Sequence, residues 1–331
     1  MLPLCIETVI CVKLFPLALL ATAAVAVASL FVGVSDMSLL ALISGAGSDK
    51  MLTVLAASRV PRTLALLLAG AGMAVAGTIM QMLSRNRFVE PSTAGTVESA
   101  SLGMLTVLLL APDLPVIMKM LVAAIFSLAG TAIFLAILKR VPLRSPVLVP
   151  LIGLMLGGVI NACTTFFAYR FDLMQAMGAW TSGDFSAVLR GRYEVLWVAF
   201  ALTVTAYIAA DRFTVAGMGV EFSTNLGLNY RNVITLGLVI VSMVTASVVV
   251  TAGVLPFIGL IVPNLVSMVM GDRLRHTLPW IALSGATLVL VCDTIGRIVN
   301  APYEIPVGSV LGVVGSLFFL NMLLRRRFRA Q

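Results

Sequence analysis

The chain has 331 residues, of which 60% are hydrophobic and 11% are charged, and its net charge is +8. Soluble domains carry about 25% charged residues, so this composition excludes an ordinary soluble protein and predicts an all-α integral membrane protein. The apolar runs are solid rather than alternating, which excludes an outer-membrane barrel.

Ten apolar runs predict ten transmembrane helices within a single membrane domain over residues 1–331, because one crossing needs about 20 apolar residues. The first run follows Lys13 and resembles a signal peptide, but its 22 residues are too many for the usual apolar core, so we interpret it as a retained span. The predicted spans are about 14–34, 63–83, 92–111, 116–138, 146–168, 193–210, 233–251, 258–271, 278–297 and 306–324.

The distribution of charge predicts the orientation. With ten spans both termini lie on one side, and the loops of that side carry 14 of the 22 basic residues. The positive-inside rule therefore predicts cytoplasmic termini and attributes the basic excess to topology rather than to nucleic-acid binding.

Residues for catalysis or cofactor binding are scarce. The four cysteines form no C-x-x-C pair, His276 is the single histidine, and Gly45–Lys50 fails the phosphate-loop pattern. We predict no catalytic residue, no metal site, no cofactor and no nucleotide site within this chain.

Two arginines open the second span at the predicted outer face. Arg59 and Arg62 are three residues apart and share one helix face, and Arg297 ends the ninth span on the same side. Guanidinium groups there would receive carboxylates of an anionic partner, or would anchor the helices at the interface. Asp293 lies four residues before Arg297, so an internal ion pair competes with docking for that arginine.

The connection 85–95 carries Pro91 and Ser92, which indicate the start of the third span, and we interpret it as a helical hairpin connection. Within that span, Glu98 is costly in lipid and should face protein or water. It would be a path residue, a proton-linked group or a paired structural carboxylate.

Small residues mark the fifth and tenth spans. Gly153 and Gly157 lie four apart, as do Gly308 and Gly312, a spacing that lets helices approach closely within one subunit or between subunits. Asn161 is the main polar side chain of the fifth span, and we expect it to face a translocation path.

The loop from 212 to 231, on the predicted cytoplasmic side, contains a Gly-x-Gly turn followed by a short amphipathic stretch. Such a stretch would dock a soluble partner or rest on lipid headgroups. The candidate residues are Gly217, Gly219, Val220, Glu221, Phe222, Leu226, Gly227 and Leu228.

The forty residues 232–271 carry no charged side chain but include Pro256 and Pro263. They predict two crossings around a break over Thr251–Asn264, since proline cannot donate a helix hydrogen bond. Irregular backbone at membrane depth is tolerated only where protein or a water-lined cavity satisfies its polar groups, so the break indicates a path through the bilayer.

Several blocks in order resemble the iron-siderophore and vitamin B12 ABC importer permeases over about residues 55–325. They are Arg59-Val-Pro-Arg62, Gly253-Val-Leu-Pro-Phe-Ile-Gly-Leu-Ile-Val-Pro-Asn264, Asp293-Thr-Ile-Gly-Arg297 and Glu304-Ile-Pro-Val-Gly308. Asn86-x-Phe-Val-x-Pro91 stands where many members have Asn-Pro-Leu, and Pro263-Asn264 stands where many have Pro-His. Together with Thr93-Ala-Gly95, these segments resemble the branch for catecholate-type ferric siderophores such as petrobactin, anguibactin or vibriobactin.

The resemblance implies a ten-span permease subunit in the bacterial cytoplasmic membrane that imports a ferric siderophore by alternating access. It implies a second permease subunit, identical or different, a cytoplasmic ABC ATPase dimer that hydrolyses ATP, and a periplasmic or lipid-anchored siderophore-binding protein. Arg59, Arg62 and Arg297 would meet the binding protein, the 212–231 loop would couple to the ATPase, and spans five and ten would form the dimer interface. The alternative is an ion-gradient-driven secondary transporter with Glu98 as the coupling group.

Overall fold

The computed structural model describes residues 3–32, 53–141 and 148–329. These ranges contain thirteen α-helices and no strand, as the all-α prediction requires. The helices are α1 (Pro3–Phe31), α2 (Val60–Ser84), α3 (Thr96–Leu110), α4 (Val116–Leu138), α5 (Leu148–Arg170), α6 (Met174–Thr181), α7 (Leu196–Ile208), α8 (Ala210–Gly217), α9 (Val220–Asn225), α10 (Tyr230–Ala252), α11 (Ile258–Met270), α12 (Leu274–Val299) and α13 (Val307–Arg329).

Six of these helices, namely α1, α2, α4, α5, α10 and α12, are long and apolar enough to cross a membrane. The α7 and α8 helices pass the same test only as a pair bent by 66°. The α3 and α11 helices and residues Val307–Asn321 of α13 are apolar but shorter. The integral membrane class is thus confirmed, and every predicted span coincides with a helix, while the count of ten crossings stays a prediction.

The α2 helix is the centre of the bundle and packs against α7, α10, α11 and α12. Two of its glycines let neighbouring backbones approach. A Cβ atom on Gly70 would lie 2.5 Å from the carbonyl oxygen of Gly285 in α12, and one on Gly77 would lie 2.1 Å from the Cα atom of Gly259 in α11. This is close small-residue packing of membrane helices, here within one chain.

We expect Gly77→Ala to destabilise the protein by about 1–3 kcal/mol, because the added methyl group forces α2 and α11 apart. Gly158→Ala in α5 is the matched control, since a Cβ atom there would meet nothing within 4 Å. Alanine favours a helix over glycine by up to about 1 kcal/mol, so the control should be neutral or stabilising. Denaturant titration in micelles measures the free energy of unfolding of both variants. Equal changes in the two variants would contradict the close packing of α2 and α11.

The break between α10 and α11 covers residues 253–257 and is narrower than predicted. Gly253 and Phe257 have φ angles of +91° and +65°, which end one helix and begin the next. Pro263 lies inside α11 without ending it. The carbonyl that this proline leaves free in the helix ladder belongs to Gly259, and the Nε2 atom of Gln81 donates to it at 3.1 Å. The helix therefore continues through the proline.

With 13 residues, α11 is only about 20 Å long, less than the ~30 Å hydrocarbon core. Gly271 follows it at the surface, so Phe257 lies deep inside the protein rather than at the opposite face. The second predicted crossing of this region therefore combines a short helix with the non-helical residues 253–257. The prediction of a break between two crossings agrees with this arrangement, but it did not include the position of the break deep inside the protein.

The ends of α2, α4 and α11 and the starts of α5, α10 and α12 line two neighbouring clefts, so they share one end of the bundle. We call it the basic end. Its segments 85–95, 139–141, 210–231 and 271–275 contain four acidic residues, Glu90, Asp211, Glu221 and Asp272, against eight basic ones. The basic residues are Arg85, Arg87, Lys139, Arg140, Arg212, Arg231, Arg273 and Arg275.

Candidate functional site

A buried ion-pair network, formed by Arg62, Asp293, Arg297 and Glu304, lies at the end of the bundle opposite the basic end. The Nη2 atom of Arg62 lies 2.7 Å from Oδ1 of Asp293, and its Nη1 atom lies 2.6 Å from Oε2 of Glu304. Arg297 pairs with the other carboxylate oxygen of Asp293. The predicted pair at spacing four is thus confirmed, whereas the contribution of Glu304 was not predicted.

The network also holds the end of α1. Arg297 donates to the carbonyl oxygen of Ser29 at 3.0 Å and to its hydroxyl at 2.7 Å. Arg59 donates to the carbonyl oxygens of Leu30 and Val32. Since Arg62 and Arg297 are only 8% and 5% exposed, they do not present guanidinium groups at the surface. Burial and internal pairing give these two arginines a structural role, and their predicted docking role stays a prediction.

A second buried acid, Glu90, contacts the break between α10 and α11 from the side of the basic end. It is fully buried, and its Oε1 atom accepts hydrogen bonds from the backbone N–H of Phe257, at 2.8 Å, and from the Ser92 hydroxyl. Phe257 is the residue before α11, so the carboxylate lies at the positive end of that helix dipole. Asn264 also joins α11 to this connection, donating to the carbonyl oxygen of Arg87 at 2.9 Å.

The role of Glu90 was not predicted, because residues 85–95 were interpreted as a helical hairpin connection. The segment instead enters the protein: Phe88, Val89 and Ala94 are buried beside Glu90. A signal was present, since Glu90 precedes Pro91 and pairs with Thr93 in a capping box that starts a short 3₁₀ turn. An acid directly before a helix start is a capping candidate, and its distant partner could not be read from the sequence.

The side chain of Glu98, in α3, lies against α5. A Cβ atom on Gly157 would lie 3.1 Å from the Glu98 carboxyl carbon, and within the described ranges its buried Oε2 atom has no hydrogen-bond partner. Asn161 lies one helical turn beyond Gly157 and is exposed. Glu98 thus lies in the contact with α5, and Asn161 lies on the exposed surface one helical turn further along α5.

The glycine pairs of the fifth and tenth spans serve mainly the packing within this chain. A Cβ atom on Gly153 would lie 1.9 Å from the carbonyl oxygen of Thr93, and one on Gly308 would lie 2.5 Å from that of Ser182. Gly157 contacts Glu98 as described. These three glycines therefore pack closely within this chain, and their place in an interface with a second subunit stays a prediction. Gly312 differs: a Cβ atom there would meet nothing within 4 Å.

The predicted coupling loop forms two short helices, α8 and α9, which we call the coupling unit. Gly219 has a φ angle of +118° and turns the chain between them, and Gly227 (φ +75°) ends the unit. The buried Ser223 hydroxyl fastens α9 to α8 through the carbonyl oxygens of Val215 and Gly219. Met218, Val220, Phe222 and Leu226 stay exposed, by 47–60%, and Glu221 and Leu228 lie on the same unit.

The coupling unit contacts the end of α2. A Cβ atom on Gly217 would lie 2.8 Å from the sulfur of Met82, and one on Gly219 would lie 3.2 Å from an Arg85 guanidinium nitrogen. One turn earlier, Gln81 binds the carbonyl oxygen of Gly259 in α11. The exposed unit is thus joined through α2 to the helix that follows the break.

The sequence of this chain is similar to those of several known membrane permeases. The chain is 49% identical over 302 residues to the petrobactin import system permease protein YclN of Bacillus subtilis, covering 91% of this chain and 95% of that relative. It is 43% identical to the petrobactin import system permease protein FatD of Bacillus anthracis, covering 95% and 92%.

The fold matches a solved structure of a metal-chelate type ABC transporter in an inward-facing conformation, with a TM-score of 0.79 and 21% identity over 95% of this chain and 99% of that one. The profile of the FecCD transport family matches residues 19–326. This match spans nearly the whole chain, including the ion-pair network, the break and the coupling unit, and the chain therefore belongs to the FecCD transport family.

Proposed function

We propose that this chain is the membrane-spanning permease subunit of a bacterial ABC importer for a ferric siderophore of the petrobactin type. The ligand class rests on the names of its relatives, two of which are petrobactin permeases. The mechanism rests on one observation: an exposed apolar unit at the basic end connects through α2 to a broken helix at membrane depth. No bond chemistry is required of this chain, and ATP is hydrolysed in a separate subunit.

In this proposal the basic end faces the cytoplasm, because its connections carry the excess of basic residues. The coupling unit enters a cleft of the ATPase, and ATP binding moves it against Met82 and Arg85 at the end of α2. Since Gly77 and Gln81 contact Gly259, α2 and α11 move together, and the break absorbs the motion. A rigid connection of packed backbones transmits such a displacement better than flexible side chains.

The opposite end receives the siderophore-binding protein from outside the cytoplasmic membrane. With Arg62 and Arg297 buried, we assign the electrostatic contact to the half-exposed Arg59, while the network below holds α1, α2 and α12 in register. An acidic surface on the binding protein would be steered to this end by charge complementarity.

A second permease chain, identical or homologous, is proposed to cover the exposed faces of α5 and α13. Apolar residues dominate both faces, and Asn161 and Glu98 lie beside the α5 face, where the path would form between subunits. The interface therefore involves Gly312. The exposed apolar residues are Leu154, Met155, Val159 and Phe166 in α5 and Val313, Leu317 and Leu320 in α13.

The coupling unit provides a direct test. Phe222→Asp combined with Leu226→Asp should prevent co-purification of the ATPase and reduce ATP-dependent uptake at least tenfold, because charges replace the apolar contacts on which docking depends. Tyr303→Asp is the matched control for co-purification of the ATPase, since Tyr303 is 74% exposed at the opposite end. Tight ATPase association in the double variant would remove the coupling unit from the proposal.

The ligand is tested by growth on a siderophore panel. A strain lacking its own permease and carrying this chain with its partner subunits should grow on ferric petrobactin under iron limitation. It should not grow on ferric citrate or on a ferric hydroxamate supplied at the same concentration. Rescue by citrate or hydroxamate but not by petrobactin would reject the proposed ligand class while leaving the transport function intact.

A further inference from the structure

A cleft of about 980 Å³ opens at the basic end between α2, α4, α5 and α10. It is distinct from the coupling unit, which lines the neighbouring cleft on the other side of Arg85. Neither the ion-pair network nor the break contributes to it. Apart from Arg85, which also contacts the coupling unit, the proposed transport cycle gives the residues of this cleft no role.

The mouth of the cleft is cationic. Arg85, Lys139 and Arg140 line it and are exposed, and within the described ranges none of them has a carboxylate within 4 Å. Arg87 also lines the mouth, but it pairs with Asp272 at 2.6 Å. Three cationic side chains without counter-charges at one opening favour an anionic occupant.

The walls below the mouth are apolar. They follow α4 from Lys139 back to Ala132 and α10 from Tyr230 to Leu238, which is about 11–12 Å of helix in each case. This depth approaches half of the ~30 Å hydrocarbon core. The apolar lining residues are Leu83, Ala132, Leu135, Ala136, Leu138, Val149, Ile234 and Leu238.

We propose that this cleft binds an anionic phospholipid, with the headgroup phosphate between Arg85, Lys139 and Arg140 and an acyl chain along the walls of α4 and α10. A free phosphate would use the cations but leave the apolar walls against water. A peptide segment of a soluble partner would not extend 11–12 Å into the membrane. Basic pockets between membrane helices near the cytoplasmic surface have the chemistry that anionic headgroups need.

The purified permease, in detergent and with its partner subunits, should be titrated with phosphatidylglycerol or phosphatidylcholine of identical acyl chains and analysed by native mass spectrometry. The wild-type chain should bind phosphatidylglycerol more tightly. The Lys139→Gln, Arg140→Gln double variant should bind it about 25-fold more weakly, about fivefold for each charge removed, with little change for phosphatidylcholine.

Two further variants make the result specific. Ala136→Trp fills the cleft and should weaken binding of both lipids, whereas Arg190→Gln with Arg192→Gln removes the same charge at the opposite end and should have no effect. Equal binding of the two lipids by the wild-type chain, or unchanged binding by the double variant, would overturn the proposal. So would competition by soluble glycerophosphoglycerol at the affinity of the lipid, since the acyl chain would then contribute nothing.

Discussion

Asp293→Asn is expected to lower the free energy of unfolding by about 3–5 kcal/mol, because removing one partner of a buried ion pair leaves charges without compensation. Asp293 is the shared carboxylate of Arg62 and Arg297, and its side chain is completely buried. After the substitution, Arg62 keeps Glu304, whereas Arg297 retains only neutral acceptors on α1. The end of α1 should therefore loosen together with α12.

Asp272→Asn is the matched control for this prediction. Asp272 forms a pair with Arg87 at 2.6 Å, but its side chain is 57% exposed, and exposed pairs contribute at most about 1 kcal/mol. Denaturant titration in mixed micelles compares the two variants directly. Equal losses of stability would show that the Asp293 network is solvated rather than buried.

Glu90→Ala is expected to reduce siderophore uptake at least tenfold while the chain still inserts in the membrane. The substitution removes the acceptor of the Phe257 N–H, and an unsatisfied buried N–H costs about 1–3 kcal/mol. The break would lose its fixed connection to residues 85–95, so motion of α2 would no longer direct the start of α11. Uptake of labelled iron per inserted chain measures the effect.

Two variants decide whether capping is the cause. Glu90→Gln keeps an oxygen acceptor of nearly the same shape and should retain most of the uptake. Glu194→Ala removes a carboxylate that also accepts a backbone N–H, from Gly191 at 2.9 Å, but at an exposed turn, and it should transport normally. If Glu90→Ala transports as well as Glu194→Ala, the capped break has no part in the cycle.

Much of the fold could be predicted, because a bilayer constrains sequence strongly. Each apolar run that was predicted to be a span coincides with a helix of the structure. The spacing of Asp293 and Arg297 identified their ion pair. Gly219 at a Gly-x-Gly turn indicated where the coupling unit bends. These features depend on residues close in sequence, for which helical geometry fixes the distance.

The features that the sequence did not predict have a different origin, because they depend on residues far apart in the chain. The depth of the break depends on Glu90, which comes from a connection more than 160 residues earlier, and the continuation of α11 through Pro263 depends on Gln81. The filled sides of Gly153 and Gly308 depend on Thr93 and Ser182. The spacing of small residues shows that something approaches closely, but it does not distinguish a neighbouring helix of the same chain from another subunit.

The most direct test of the transport proposal is iron uptake in proteoliposomes that contain this chain, its partner permease and the ATPase, with the loaded binding protein added outside. Uptake of ferric petrobactin should require ATP inside and should persist when an ionophore collapses the proton gradient. Uptake driven by the gradient without ATP would contradict the account and favour a secondary transporter with Glu98, whose buried Oε2 atom has no hydrogen-bond partner in the described ranges, as its coupling group.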